Sequence, residues 1–153
     1  MKTFADEQCR AELVRRLMTV GPDSARRWGK MSAHQMVCHL SDAFQMMHGT
    51  KPVSDATGRL QQTLVKWTAL YLPVRWPPDL PTRPEIDQQL GAGTRPGDFA
   101  ADVAEVRTLM DRITTRQPGL QWPTHPIFGR MSGAAWLRWA YLHTDHHLRQ
   151  FGA

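Results

Sequence analysis

Apolar residues along this chain recur every three or four positions, the period of a helix packed on one side. Cys9, Leu13 and Leu17, with Val14 and Met18 beside them, predict a first helix over about residues 4–19, ended by Gly21-Pro22. Met36, Leu40, Ala43 and Met47, with Phe44 adjacent, predict a second. Ser32 and Gln35 form a Ser-x-x-Gln capping box at its start, Met31 and Met36 can close a hydrophobic staple, and Gly49 stops it. Leu60, Leu64, Trp67 and Tyr71 predict a shorter amphipathic helix within 58–72. Phe99, Val103, Val106, Met110 and Ile113 predict a helix over about 98–115, broken by Pro118-Gly119. The last helix is expected from Ser132 to about Phe151. Its entry, Gly129-Arg130-Met131-Ser132, repeats Gly29-Lys30-Met31-Ser32, the same capping chemistry used twice. No period-two strand pattern occurs. Four main amphipathic helices with capped ends predict an all-α four-helix bundle with one extra short helix.

Pro73, Pro77, Pro78, Pro81, Pro84 and Pro96 crowd the stretch between the short helix and the next. That density forbids a long helix or a central strand. A connection of this length is either functional or a packing arm, and the pattern leaves both open.

Composition narrows the classes. A length of 153 residues fits a single domain spanning 1–153, and 41% hydrophobic with 22% charged residues is a globular balance. No apolar run approaches the roughly 18 residues that cross a bilayer, so no membrane role is expected. Residues 1–16 alternate charge with apolar side chains, unlike a secretory leader, and Cys9 and Cys38 are too few for a disulfide framework. The expected location is the cytoplasm. A net charge of +5 raises the question of nucleic acid. However, Arg10, Arg26, Arg59, Arg83, Arg107, Arg130 and Arg149 are scattered rather than gathered on a stripe. No base-reading helix stands out, so no nucleic-acid partner is expected. Apolar Trp76 and Leu80 in the proline-rich stretch suggest a homodimer.

The chemistry concentrates in His143-Thr144-Asp145-His146-His147. Residues four apart share a helix face, so His143 and His147 project together, continuing the apolar stripe of Trp136, Trp139 and Ala140. Two inward imidazoles need a partner, since an unpaired buried polar group costs roughly 1–3 kcal/mol. A divalent ion satisfies both. His39 lies within the apolar face of the second helix, between Met36 and Ala43, and can supply a third imidazole. The competing reading makes His39 a core histidine bonded to a backbone or side-chain oxygen. His146 competes for third ligand, or supports the site from the flank. Three imidazoles about 2.1 Å from an ion leave positions open for water or substrate. Zinc is the default ion, and nickel, iron or manganese also suit imidazole. Such an ion lowers the pKa of bound water to about 7 and deprotonates a thiol.

Two stretches carry a family resemblance. Trp28-Gly29-Lys30-Met31-Ser32-Ala33 leads to His39-Leu40; His125-Pro126-Ile127-Phe128-Gly129 leads to His143-Thr144-Asp145-His146-His147-Leu148-Arg149-Gln150-Phe151. The His-Pro-x-Phe-Gly entry and the His-x-x-His-His-x-x-Gln-Phe ending resemble the DinB-like superfamily, and within it the domain of unknown function family 1569. The resemblance implies an up-down-down-up four-helix bundle with a three-histidine metal site, matched by His39, His143 and His147. Characterised members of the superfamily are mainly metal-dependent thiol transferases, such as bacillithiol transferases and mycothiol-dependent maleylpyruvate isomerase. The implied activity is therefore a metal-dependent thiol transferase or hydrolase-like enzyme acting on a small molecule, with a low-molecular-weight thiol as second cofactor. The alternative is a non-catalytic structural metal-binding or oligomerisation module.

Supporting roles follow from spacing. Asp42, three residues after His39, can orient that ring or act as a base, or be a surface carboxylate. Gln150, three after His147, can be a supporting donor or cap the helix end. Asp145 is placed to pair with Arg149 on the outer face. His125 either lines the site mouth or anchors its loop. Trp67, Trp136 and Trp139 read first as core. Cys38, about 100° around the helix from His39, is expected to face elsewhere.

Overall fold

The computed structural model describes residues 1–115 and 121–153; the expected break at Pro118-Gly119 lies outside them. The described residues are all-α, with one isolated bridge between His125 and Gly129. Helix α1 (Glu7–Leu17) starts on Asp6, whose carboxylate accepts from the Cys9 N–H at 2.9 Å. Helix α2 (Ala33–His48) opens on the full capping box: Ser32 Oγ accepts from Gln35 N–H at 3.1 Å, and Gln35 Oε1 accepts from Ser32 N–H at 2.9 Å. Gly49 ends α2 at φ +79°, a left-handed conformation that a side chain would strain. Helix α3 (Lys66–Tyr71) follows a π turn over Gln61–Val65. Helices α4 (Phe99–Thr114) and α5 (Gly133–Gln150) are capped by Asp98 and Ser132, as the pattern predicts for Ser132.

Helix α2 lies along α4 and also meets α5, while α1 lies along α5. Every residue of α2 from Met36 to Phe44 is buried. A helix enclosed all round sits at the centre of its domain. Its polar members Cys38, His39, Ser41 and Asp42 therefore lie where each polar group needs a partner. Leu13, Leu17, Met36, Leu40, Met47, Val106, Met110, Trp136 and Leu148 fill the space around it.

The short helix departs from expectation. Its stripe does not face the core: Leu60, Leu64, Trp67 and Tyr71 are 58%, 57%, 54% and 44% exposed. Leu70 turns inward instead, and its carbonyl accepts from Arg138 Nε at 2.9 Å on α5. The four positions are exposed before, within and after the π turn, so this apolar side stays turned to solvent. Trp67 is thus a surface residue, not core.

The proline-rich stretch is pinned rather than loose. Pro84–Ile86 forms a single 3-10 turn. Buried Asp42 takes hydrogen bonds from Gln88 Nε2 at 3.2 Å, from the Thr94 N–H at 2.9 Å and from the Thr94 hydroxyl, and pairs with Lys51 Nζ at 2.6 Å. The chain passes so close there that a Cβ on Gly93 would stand 2.9 Å from Asp42 Oδ2. Trp76, expected to serve self-association, is half-buried, with its indole N–H donating to the Ala69 carbonyl at 2.7 Å. Among the described residues no helix is long and apolar enough to cross a membrane.

Candidate metal centre

His39 on α2 meets His143 and His147, one turn apart on α5. Each offers a ring nitrogen, and these atoms all lie within 4.8 Å of one another. His39 Nε2 stands 3.2 Å from His143 Nε2. His39 and His147 are buried, while His143 is partly open.

The partners of the other ring nitrogens decide what this cluster can hold. His39 Nδ1 lies 2.9 Å from the Ile86 carbonyl, which can only accept. His39 therefore carries its proton on Nδ1 and presents a bare lone pair at Nε2. Gln150 does the same for His147. Its amide nitrogen donates to the Trp28 carbonyl at 2.9 Å, which turns Oε1 to accept from His147 Nδ1–H at 3.0 Å. Lone pairs from two helices thus converge beside His143 Nε2. A proton on His143 can satisfy only the nearest of them; a divalent ion satisfies all three. Locking the far nitrogen with a backbone or amide oxygen is how proteins orient metal-binding imidazoles. The residues present fit a divalent ion.

Electrostatics favour the same state. Burial holds all three rings neutral, His143 and His147 well below the usual histidine range, and neighbouring imidazoles push those two further down. Neutral rings are the form that binds metal. The His143 ring stacks on Trp139, with centroids 4.6 Å apart and planes at 16°, and Trp76 approaches from the arm at 6.5 Å.

The remaining expected residues separate clearly. Gln150 supports His147 and also ties α5 to the Trp28 carbonyl. Asp42 is neither a surface carboxylate nor the group that orients His39. It is fully buried, its oxygens are engaged by Lys51, Gln88 and Thr94, and Ile86 holds the ring. His146 lies beside the three, its ring 5.1 Å from His147 and between Trp28 and Trp76. Burial and then Arg149 lower its pKa to about 4. His125 anchors its loop: Nδ1 accepts from the Ile127 and Phe128 N–H groups, each at 3.1 Å, and burial lowers its pKa to about 3. Asp145 pairs with Arg149 at 2.9 Å and with Arg16 of α1 at 2.7 Å. Trp136 and Trp139 are core. Cys38 faces α4, away from the three histidines, and burial followed by Asp102 pushes its thiol up to about 12. Pattern reading missed the Ile86 and Trp28 carbonyls, since any residue carries a carbonyl, and the approach of Trp76 to His143.

Fold and site together define an all-α protein with a buried three-imidazole cluster that can hold a metal ion. The chain belongs to the family described as Protein of unknown function (DUF1569), which it matches over residues 3–153. No curated protein and no solved structure matches it.

Proposed function

We propose that this protein is a metal-dependent enzyme of the DinB-like kind, a thiol transferase or hydrolase acting on a small molecule. In this reading the four long helices form the up-down-down-up bundle of that superfamily. His39, His143 and His147 hold the ion, with zinc the default and nickel, iron or manganese also suited. The observation that carries the reading is the pair of oxygens, the Ile86 carbonyl and Gln150 Oε1, that meet Nδ1 of His39 and of His147 and so aim the opposite ring nitrogens at one point. When bound, an ion in neutral imidazoles keeps its full 2+ charge and supplies Lewis acidity toward a thiol or water.

The chain's own residues do the rest. Gln150 positions His147, and the Ile86 carbonyl positions His39. Trp139 and Trp76 flank His143 with aromatic surface, an apolar wall of the kind small-molecule sites use. Asp42 acts at a distance, by fixing the arm that carries Ile86. Elemental analysis of the purified protein, followed by calorimetric titration with a panel of low-molecular-weight thiols, tests the proposal. Stoichiometric metal with metal-dependent thiol binding supports it; absence of metal after reconstitution overturns it.

One observation favours the alternative of a purely structural ion: Asp42, the one carboxylate placed near His39 by sequence spacing, is fully engaged. His147→Ala separates the readings. Under the enzyme reading thiol binding is lost while the fold survives; under the structural reading the melting temperature falls and no ligand response is lost.

A further inference from the structure

A second set of donors lies on another face of α2. His34, Cys38 and Asp102 each offer one ligand atom, and these atoms lie within 4.8 Å of one another. We propose that His34, Cys38 and Asp102 form a second divalent-metal site, of the zinc class, that clamps α2 to α4. His34 and Cys38 are four residues apart and share a helix face, and Asp102 reaches them from α4. His34 Nε2 is 2.7 Å from Asp102 Oδ2, and Cys38 Sγ is 3.7 Å from the same oxygen.

Each donor is held in place by something else. The Gly97 N–H donates to Asp102 Oδ2 at 3.0 Å. The His34 ring meets Phe99 edge-on, with centroids 5.2 Å apart at 79°. Cys38 is fixed in the buried run of α2. Bonds of about 2.0–2.3 Å in a tetrahedral shell set neighbouring ligand atoms roughly 3.3–3.8 Å apart. The Cys38–Asp102 separation already meets that spacing. The His34–Asp102 contact is an ion-pair distance and has to open by less than about 1 Å, which side-chain rotation supplies. Side-chain exposures of 19% for His34 and 26% for Asp102 leave an approach for the ion and for a water as fourth ligand.

The donor chemistry sets this site apart from the three-histidine cluster. A thiolate and a carboxylate together cancel the 2+ charge that three neutral imidazoles leave intact. On binding, the Cys38 thiol proton leaves to solvent, and the His34 ring gives up to solvent the Nε2 proton it donates to Asp102 and takes one at Nδ1, freeing Nε2. The neutralised ion is a clamp rather than a Lewis acid. The inference does not depend on the enzymatic reading of the first site.

Cobalt(II) titration of the metal-free protein tests it, because only a sulfur ligand gives a near-ultraviolet sulfur-to-cobalt charge-transfer band. The expected result is two equivalents per chain, with that band present in the wild type and retained in His143→Ala. In Cys38→Ser the band disappears and one equivalent remains. Asp102→Asn, which keeps the side-chain shape on a more exposed position, is expected to weaken the band-forming equivalent at least tenfold without affecting the other. Two equivalents or one with no band, or a band unchanged in both Cys38→Ser and Asp102→Asn, overturns the proposal. One equivalent with the band upholds it while removing the three-histidine site, so the two failures are distinguishable.

Discussion

Helix α2 presents two faces of contrasting chemistry. Toward α5 it offers His39 to His143 and His147, three rings that burial keeps neutral. Toward α4 it offers His34 and Cys38 to a carboxylate that, against the cost of burial, the Gly97 N–H and His34 hold ionised. The histidines of the first cluster are fixed from behind, by Ile86 and Gln150, so their free nitrogens are preorganised. The members of the second already bond to one another. Lone pairs that converge from two helices with at most one proton between them favour an ion; a pre-paired set accepts one by exchange. The first cluster is therefore expected to bind more tightly and to depend more on its supporting residues.

Breaking the first face has the largest effect. His147→Ala is expected to weaken metal binding at the three-histidine cluster by more than about 100-fold, beyond what loss of a supporting partner causes. Competition with a chromogenic chelator measures it, and retained affinity would point to His146 as the true third ligand. Asp42→Ala comes next. It strips the partner from Lys51, Gln88 and Thr94 at a buried position and is expected to cost about 3 kcal/mol in urea unfolding, the scale of a broken buried pair. A loss under about 1 kcal/mol would show that the arm is not anchored there.

Gln150→Ala frees His147 to change tautomer while leaving all three imidazoles in place. The expected loss is about 10–100-fold in metal affinity, with Gln150→Glu, which keeps an acceptor, closer to wild type. Acid gives a graded effect, spread over several pH units. His125 and His146 titrate near 6.5 in the unfolded chain but at about 3 and about 4 in the fold. Below pH 6.5 the unfolded state therefore takes up protons that the folded state refuses, and stability falls as pH drops. Each contributes about 1.4 kcal/mol per pH unit until its folded pKa is reached. Urea midpoints for the metal-free protein that stay constant from pH 7 to about pH 4 would contradict this assignment. The smallest effect is expected at Trp67→Ala, within about 0.5 kcal/mol, because that ring is a surface group; a larger loss would mean the outer stripe is covered in solution.

The capping residues and the imidazole spacing were legible in the chain because both are local. Ser32 with Gln35, and His143 with His147, are fixed by one turn of helix. His39 could be proposed but not confirmed, since its alternative was a bond to a backbone oxygen. In the structure it makes that bond on one nitrogen and faces the cluster with the other, so the two readings were never exclusive. Asp42 misled because sequence spacing does not reveal the arm that closes over it. The stripe at Leu60, Leu64, Trp67 and Tyr71 misled for another reason. Periodicity reports that a helix has an apolar side, not that another element covers it. Asp102 was illegible beside His34 and Cys38 because the α2–α4 pairing brings it in from far along the chain.

Two histidines are held as Nδ1–H tautomers, and their free nitrogens are placed to share an ion with His143. Long-range proton–nitrogen NMR of protein labelled at histidine reads this directly. The expected spectrum of the metal-free protein shows Nδ1–H for His39 and His147, and zinc then shifts Nε2 of His39, His143 and His147 together. An Nε2–H proton on His39 or His147, or Nε2 signals of those three that do not respond to zinc, would rule out this arrangement.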